Sequence, residues 1–268
     1  MKKIKPVLNG IAETMLQCFY ARAMHSKNSK NDFKDLKAEE LIEYIDYDFS
    51  NAKKDVAMSG GIVARSAVFD ELVGDFIHKN PTCTVVNIAC GLDTRAYRMD
   101  NGKLTWYNLD LPETIEVRDS IYHEKGRIST IACSVLDPKW TDQVKVRGKM
   151  IFIIEGLTMY MHEQEVKTML EIIHDHFDNA YVCMETLCPF FVKKEGIEKS
   201  IKATGASFTW GANCFDDIKK IAVGYKKVKD DNIVRGMLTL NKMYALIAWM
   251  PIVKKFAQKI LVFEKVVD

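Results

Sequence analysis

The sequence lacks an apolar run that could cross a membrane, since no segment reaches the roughly 18 uninterrupted apolar residues that a spanning helix requires. The best candidate, Met243–Val253, is shorter and contains Pro251. The N-terminus is basic, but polar residues from Asn9 onward interrupt any apolar core of a signal peptide. We therefore expect a cytoplasmic protein with no membrane partner.

Paired cysteine motifs are also missing. None of the seven cysteines stands in Cys-x-x-Cys spacing, and His174 and His176 have no second pair of ligands near them in sequence. We therefore expect no metal site. An odd number of cysteines in a chain too long to need disulfide staples predicts free thiols in a reducing compartment.

Excess charge of either sign is small. Lys and Arg number 38 and Asp and Glu 36, which leaves a formal net charge of +2. A balance so close to zero predicts no surface that tracks a phosphate backbone, so no nucleic-acid partner is expected.

What the sequence does contain is an alternation of short apolar segments with helical patterns. Five segments are predicted to be strands: 84–89, 104–109, 128–133, 150–154 and 180–184. Because parallel neighbours need crossover helices, such as the one predicted over 162–176, the fold class is α/β with a doubly wound, mostly parallel sheet. Segments 225–229 and 259–265 would complete a seven-stranded sheet as a hairpin-like pair, with 259–265 closing its edge.

The residues before and after these strands have a different character. Helical patterns over 9–26, 38–45 and 65–79 predict an N-terminal helical extension, residues 1–80, packed on the core domain 81–268. Met58–Ile62 contains two glycines and is predicted to be a turn between helices. Residues 186–225 mix proline, glycine, aromatic and charged residues and predict a helical insertion that acts as a lid.

Polar residues follow four of the predicted strands in turn. Gly91 and Asp93 follow the first strand, Asp110 ends the second, Ser134 follows the third and Glu155 the fourth. In open parallel sheets, ligands bind beyond the carboxyl ends of the strands. The sequence therefore predicts that these residues share one binding crevice.

The turn after the first strand is poor in glycine. Gly91 is the only glycine between Asn87 and Arg95, whereas a diphosphate-binding turn needs several. Asp110 lies about 20 residues further on, where an acid accepts the hydroxyls of a ribose. Adenosine without a diphosphate indicates S-adenosylmethionine rather than NAD. Taken singly, each residue also has a structural explanation: Gly91 as a turn glycine, Asp110 as a helix cap, and Glu155 as an ion-pair partner.

Several motifs occur together in a characteristic order. They are Gly10–Met15, Phe19–Ala23, Gly61–Arg65, Val85–Arg95, Tyr107–Pro112 and Glu155–Met161. This series closely resembles the leucine carboxyl methyltransferase family, in particular its bacterial polyketide-synthesis O-methyltransferase branch. The resemblance covers about residues 9–185 and is weaker over 186–268.

The resemblance implies a class I, S-adenosylmethionine-dependent methyltransferase that methylates oxygen, often that of a carboxylate. It implies that Arg65 contacts the methionine carboxylate of the cofactor, and that Gly91 lies under the methionine portion with Asp93 nearby. Asp110 would bind the ribose hydroxyls, and Glu155 would face the methionine end of the pocket.

The expected adenine contact departs from the family pattern. The usual Asp-Leu pair after the third strand is Ser134-Val135 here. Val135 would still offer its backbone, while either Ser134 or Asp137 takes the polar role. The first glycine of the family's Gly-x-Gly turn is Ala89 in this chain.

The methyl acceptor is expected to be a small molecule, bound through its carboxylate or a hydroxyl. Tyr20, Arg22 and Tyr160 are candidates to orient it, and Trp210 is the preferred aromatic residue of its pocket. Arg22 lies on an otherwise apolar helix face, so it should meet either solvent or an anion. No Ser-His-Asp or Cys-His set is evident, and no catalytic residue is assigned. The lack of such a set fits an ionised carboxylate as the acceptor, because a carboxylate needs no general base.

Two alternatives remain at this stage. One is a nicotinamide-dependent oxidoreductase on a similar sheet, which the glycine-poor turn disfavours. The other is a non-catalytic cofactor-binding protein of the same fold.

Overall fold

A computed structural model describes residues 3–6, 13–28, 31–192, 207–240 and 244–266. The helices of the described residues are α1 Thr14–Lys27, α2 Leu36–Leu41, α3 Ser50–Lys54, α4 Val56–Lys79, α5 Arg95–Met99, α6 Pro112–Tyr122, α7 Glu163–His176, α8 Pro189–Val192, α9 Phe215–Ile218, α10 Val234–Leu240, α11 Ala245–Ala248 and α12 Pro251–Phe256. The strands are β1 Thr84–Ile88, β2 Thr105–Asp110, β3 Ile128–Ala132, β4 Met150–Ile154, β5 Ala180–Thr186, β6 Tyr225–Asn232 and β7 Lys259–Lys265.

The seven strands form one sheet in the order β3-β2-β1-β4-β5-β7-β6. Strands β1 to β5 pair in parallel, and β7 pairs antiparallel with both β5 and β6. The predicted doubly wound, mostly parallel seven-stranded sheet is therefore confirmed. The order reverses between β1 and β4, and at such a switch point the carboxyl ends of the strands border a crevice.

The predicted position of the last strand was wrong, because β7 lies inside the sheet and β6 forms the edge. The residues from Ile260 to Phe263 are fully buried, so this strand needs neighbours on both sides. Strand β6 carries Lys226, Lys227 and Lys229, with a bulge between the last two. Lysines and bulges suit an edge strand because they hinder pairing with another chain.

The sheet has an apolar layer on each face. Strands β1 and β4 are buried along their whole length, as expected for central strands covered by helices on both sides. One face packs against α7 and the other against α4. A third cluster joins Leu16 and Phe19 of α1 to Leu92, so the first helix is anchored beside the end of β1.

The turn predicted at Met58–Ile62 was also wrong, because this segment lies inside the 24-residue helix α4. Asp55 begins the helix by accepting a hydrogen bond from the Met58 amide at 3.0 Å. A glycine inside a helix costs about 1 kcal/mol relative to alanine. The buried apolar residues of α4, among them Val63, Val68 and Phe69, outweigh that cost.

The glycines of α4 and α10 give a paired prediction on stability. Gly61→Ala is expected to raise the free energy of unfolding by about 0.5–1 kcal/mol, because a Cβ there meets no atom within 4 Å and glycine disfavours helix. Gly236→Ala should lower it by about 1–3 kcal/mol or more, since its Cβ would lie 2.0 Å from the carbonyl oxygen of Ala64. Urea denaturation measures both. Destabilisation by Gly61→Ala would contradict a helix at this position.

The predicted insertion at 186–225 lies partly outside the described residues, which omit 193–206. Its described parts contain α8 and α9. Residues 9–12 of the first predicted helix are likewise not described. Among the described residues, no helix has both the length and the apolar character needed to span a bilayer.

Candidate active site

A cavity of about 320 Å³ lies at the carboxyl ends of β1 to β4 and is covered on one side by α1. The residues that the sequence analysis assigned to the cofactor all line it: Arg65, Gly91, Asp93, Asp110, Ser134, Val135 and Glu155. Thr14, Met15 and Cys18 line it from α1. The cavity is of the size found for small-molecule sites, at the place where open α/β sheets bind their ligands.

The turn after β1 brings backbone close to the cavity. Ala89 and Gly91 have positive φ angles of 51° and 46°. The Gly91 amide donates to Oδ2 of Asp110 at 2.8 Å, and the buried guanidinium of Arg118 donates to the Gly91 carbonyl at 2.8 Å. A Cβ at position 91 would lie 3.0 Å from the Cβ of Met15. Glycine is required here by both its conformation and the approach of α1.

Substituting this glycine should lower the stability of the protein. Gly91→Ala is expected to lower the free energy of unfolding by about 2–4 kcal/mol, because strain at positive φ adds to crowding against Met15. Gly102→Ala is the matched control, since Gly102 has a φ of 77° but open space around its Cβ. It should cost about 1–2 kcal/mol. Equal losses in the two variants would show that the contact with Met15 contributes nothing.

Asp110 ends β2 and faces the cavity. Its carboxylate accepts the Gly91 amide through Oδ2 and the Leu111 amide through Oδ1, both at 2.8 Å. Burial raises the pKa of Asp110 in spite of these hydrogen bonds. Each carboxylate oxygen can accept more than one hydrogen bond, so capacity remains for the hydroxyls of a ligand. Asp110 therefore holds the local backbone and can bind a ligand as well.

Glu155 and Glu185 hold Arg65 at the ends of β4 and β5. The Arg65 Nε donates to Glu155 at 2.8 Å, and its Nη1 lies 3.2 Å from Glu185. Burial raises the pKa of Glu185. Burial also opposes ionisation of Glu155, but Arg95 and Arg65 outweigh it and hold its pKa below the ordinary value. Our prediction left Glu185 out of the site, although its place at a strand end repeats the pattern of Asp110 and Glu155.

Asp93 takes part in further buried ion pairs, which are joined to those of Arg65 through Glu155. The Arg95 guanidinium contacts Asp93 at 2.6 Å, Asp70 at 2.7 Å and Glu155 at 2.7 Å. Burial opposes ionisation of Asp93, but Arg95 and Arg98 lower its pKa overall. Asp93 and Glu155 are thereby held as fixed anions beside the cavity.

The predicted acceptor residues are divided by the structure. Arg22 and Tyr160 line the cavity, whereas Tyr20 and Trp210 are not among its lining residues. Tyr20 stacks on Phe49 with ring centroids 4.8 Å apart. Trp210 is buried in the apolar layer on the α7 side, and its indole donates to Glu163 at 3.3 Å.

Arg22 meets an anion, one of the two outcomes expected for it. Its Nε donates to the buried carboxylate of Asp35 at 3.0 Å, and its Nη2 donates to the carbonyl of Leu92 at 2.8 Å. Burial opposes ionisation of Asp35, but Arg98 and Arg22 lower its pKa overall. The side chain is thus fixed between α1 and the turn after β1.

The loop after β3 borders the cavity. Ser134 and Val135 line the cavity, while Asp137 does not. Oδ1 of Asp137 accepts the Lys139 amide at 3.0 Å and so begins the 3-10 helix Pro138–Gln143. Of the two residues considered for the polar role, only Ser134 faces the cavity.

The ionic groups beside the cavity are joined to one another. One connected set of ion pairs contains four guanidinium groups and five carboxylates, namely Arg22, Arg65, Arg95 and Arg98 with Asp35, Asp70, Asp93, Glu155 and Glu185. Asp93 and Glu155 are the members of this set that line the cavity as anions with lowered pKa values. Within the described parts of the chain, no group of His, Cys, Asp and Glu could hold a metal ion.

Comparisons with known proteins agree with this architecture. The sequence profile described as leucine carboxyl methyltransferase matches residues 12–174. The tetracenomycin polyketide synthesis O-methyltransferase TcmP of Streptomyces glaucescens is 34% identical over 208 residues, which cover 76% of each chain. The S-adenosyl-L-methionine-dependent methyltransferase dpfgK of Gibberella zeae is 27% identical over 78% of each chain.

Solved structures support the fold alone, because their sequence identities are low. A DUF574 family protein of Streptomyces avermitilis superposes with a TM-score of 0.59 at 10% identity, covering 92% of this chain and 97% of that one. A SAM-dependent methyltransferase of Anabaena variabilis gives a TM-score of 0.52 at 12% identity, covering 98% and 99%. With the profile match and the similarity to TcmP, the chain is a member of the leucine carboxyl methyltransferase family, with the class I methyltransferase fold and S-adenosylmethionine as its cofactor.

Proposed function

We propose that this protein transfers the methyl group of S-adenosylmethionine to a carboxylate oxygen of a small molecule. One observation carries the proposal. The anions that line the cavity at the strand ends are either committed to buried arginines, as Asp93 and Glu155 are, or placed to bind a ribose, as Asp110 is. The site is therefore equipped to bind and orient rather than to remove a proton.

The residues present fit the cofactor. Asp110 offers acceptors to the ribose hydroxyls, and the anionic carboxylates of Asp93 and Glu155 beside the cavity suit a positively charged sulfonium. Arg65 Nη2 has only a weak contact with the Cys18 thiol at 3.8 Å, so it retains donors for the methionine carboxylate. The bound cofactor supplies an activated methyl group.

The acceptor side is argued from what its residues can do. No histidine lines the cavity among the described residues. The lowered pKa values of Asp93 and Glu155 make both groups weak bases. An ionised carboxylate needs no base, whereas a phenol or an alcohol does. This supports a carboxylic acid as the acceptor in the proposal.

Arg22 is the residue that we assign to the acceptor carboxylate, with Tyr160 beside it. Its Nε and Nη2 are occupied by Asp35 and Leu92. Arginine carries five N–H donors in a fixed plane, so the remaining donors can pair with a second carboxylate. This contact would orient the acceptor oxygen towards the methyl group. Orientation of this kind can lower a barrier by about 7–11 kcal/mol.

The relative TcmP supports oxygen as the methylated atom, since its name describes an O-methyltransferase of polyketide synthesis. We extend that description to this chain as part of the proposal. An aromatic acid of polyketide type is the acceptor that this extension suggests, and Met15, Leu157 and Tyr160 of the cavity lining offer apolar or aromatic contacts.

Methyl transfer can be tested with isotopically labelled S-adenosylmethionine and matched pairs of aromatic acids and phenols. We expect label in the acids, and alkaline hydrolysis should release it as methanol because the product is an ester. Label that resists alkali, or that enters only phenols, would refute carboxyl methylation. Cofactor binding with no transfer to any acid or phenol would favour the non-catalytic alternative.

Arg22→Met provides the residue-level test. We expect it to raise KM for the acid by about 10–100-fold, since a charge-assisted hydrogen bond contributes about 1.5–3 kcal/mol. Affinity for S-adenosylhomocysteine should change little. The buried Asp35 keeps an arginine partner in this variant, because Arg98 still pairs with it at 3.1 Å. An unchanged KM would remove Arg22 from the acceptor site.

A further inference from the structure

A group of large apolar side chains is exposed at the C-terminal helices. Leu246 and Trp249 are 72% and 71% exposed, and Ile252 is 51% exposed. Leu238 at the end of α10 and Tyr244 before α11 are each 37% exposed. We call these five residues the C-terminal apolar surface. Leu246 and Trp249 are in contact, since the Trp249 indole donates to the Leu246 carbonyl at 2.8 Å, and Ile252 lies on the helix that follows. Scattered single apolar residues are common on proteins, whereas several of them close together mark an interaction site.

The charged residues of this part of the chain have one sign. Between Asp231 and Glu264 the sequence contains no acidic residue, while Lys254 and Lys255 lie on α12 shortly after Ile252. Both lysines are exposed, and neither forms an ion pair with a described residue, although the Lys255 ammonium lies 5.9 Å from the centre of the Phe256 ring. Exposed apolar residues followed by exposed lysines are complementary to a surface that is apolar inside and anionic outside.

We propose that the C-terminal apolar surface binds the face of an anionic lipid bilayer. Trp249, Leu246 and Ile252 would enter the boundary between headgroups and acyl chains, where an amphipathic ring such as indole is favoured. Lys254 and Lys255 would remain at headgroup level and pair with lipid phosphates. The expectation of no membrane partner rested on the lack of a spanning segment, and peripheral binding does not need one.

This surface is joined to the cavity through α4. Gly236 of α10 packs directly against the carbonyl of Ala64, the residue before Arg65. The helix that begins the surface is therefore fixed to the helix that carries a cofactor residue.

Tryptophan fluorescence of the full chain tests the proposal directly. Of the four tryptophans, Trp106, Trp140 and Trp210 are buried, so an emission shift on adding vesicles reports on Trp249. We expect a blue shift with phosphatidylcholine vesicles containing 30 mol% phosphatidylglycerol, and a much smaller one with phosphatidylcholine alone. Raising the salt concentration should weaken binding to the anionic vesicles.

Matched variants separate the two parts of the surface. Trp249→Ser with Leu246→Ser should weaken co-sedimentation with anionic vesicles at least tenfold, and Lys254→Gln with Lys255→Gln by about fivefold per lysine. Val223→Ser removes an apolar residue that is 70% exposed elsewhere and should have no effect. Retained binding of S-adenosylhomocysteine confirms that each variant is folded.

Three outcomes would overturn the proposal. One is the absence of binding to any vesicle, and another is equal binding to neutral and anionic vesicles. The third is a Trp249-dependent dimer in sedimentation velocity without any response to vesicles, which would assign the surface to a second copy of the chain. None of these results bears on methyl transfer, so the proposed function is tested separately.

Discussion

Asp110→Ala is expected to weaken binding of S-adenosylhomocysteine by about 10–100-fold. The substitution removes a carboxylate that faces the cavity and would accept the ribose hydroxyls, and hydrogen bonds to a charged group contribute about 1.5–3 kcal/mol. It also frees the Gly91 amide, which the carboxylate holds at 2.8 Å. Isothermal titration calorimetry with the product analogue measures the loss directly.

Asp137→Ala is the matched control for this prediction. Asp110 ends β2, and Asp137 comes shortly after the neighbouring strand β3. Unlike Asp110, Asp137 binds the Lys139 amide and does not line the cavity. Affinity for S-adenosylhomocysteine should therefore stay close to that of the unmodified protein. A similar loss in both variants would show that the Asp110 effect arises from local disorder rather than from ligand contact.

The raised pKa of Asp110 adds a pH dependence to the same measurement. Burial favours the protonated carboxyl, whereas hydroxyl donors of a ligand favour the carboxylate. Affinity should therefore fall as the pH drops through the raised pKa of this group. Asp110→Asn should abolish this dependence and keep an intermediate affinity, because an amide oxygen still accepts hydrogen bonds.

The sheet could be predicted because its signals are local. Central strands buried on both faces appear as continuous apolar runs, and β4 and β7 have the limits that the sequence predicted. The parallel arrangement places the strand ends along one edge, so Asp110 and Glu155 could be assigned to one crevice before any distance was known. Their joint exposure to the cavity follows from topology.

The errors share a different cause, which is packing between distant segments. The glycines of α4 lie in a helix because its neighbours bury it, and a local propensity cannot show this. Trp210 was assigned to a pocket from its neighbours in sequence, yet its indole meets Glu163, which is far away in the chain.

Glu185 illustrates a signal that was present but incomplete. Its place at the end of β5 repeats the pattern of the other strand ends, but its partner Arg65 stands 120 residues earlier, on α4. Only the fold shows that Arg65 bridges two carboxylates. That bridge predicts a large loss of stability when Arg65 is removed.

Arg65→Met is accordingly expected to lower the free energy of unfolding by about 3–5 kcal/mol at neutral pH, because it removes the arginine that pairs with the buried carboxylate of Glu185, whereas Glu155 keeps its pair with Arg95. Arg127→Met is the control. Arg127 is 41% exposed in its pair with Asp100, and such pairs contribute about 0–1 kcal/mol. Urea denaturation at matched pH distinguishes the two variants.

The pH dependence of this loss identifies the responsible carboxylate. The pKa of Glu185 is already raised by burial, and removing Arg65 should raise it further. A raised folded-state pKa contributes stability that is complete below the unfolded-state pKa and is lost as the pH rises through the folded-state value. The deficit of Arg65→Met should therefore be larger at pH 8 than at pH 5. Adding Glu185→Gln should recover part of the stability and flatten the pH profile, since it removes the carboxyl that titrates. A deficit that stays constant with pH in both variants would show that lost packing of the arginine stem, rather than an uncompensated buried charge, destabilises the protein.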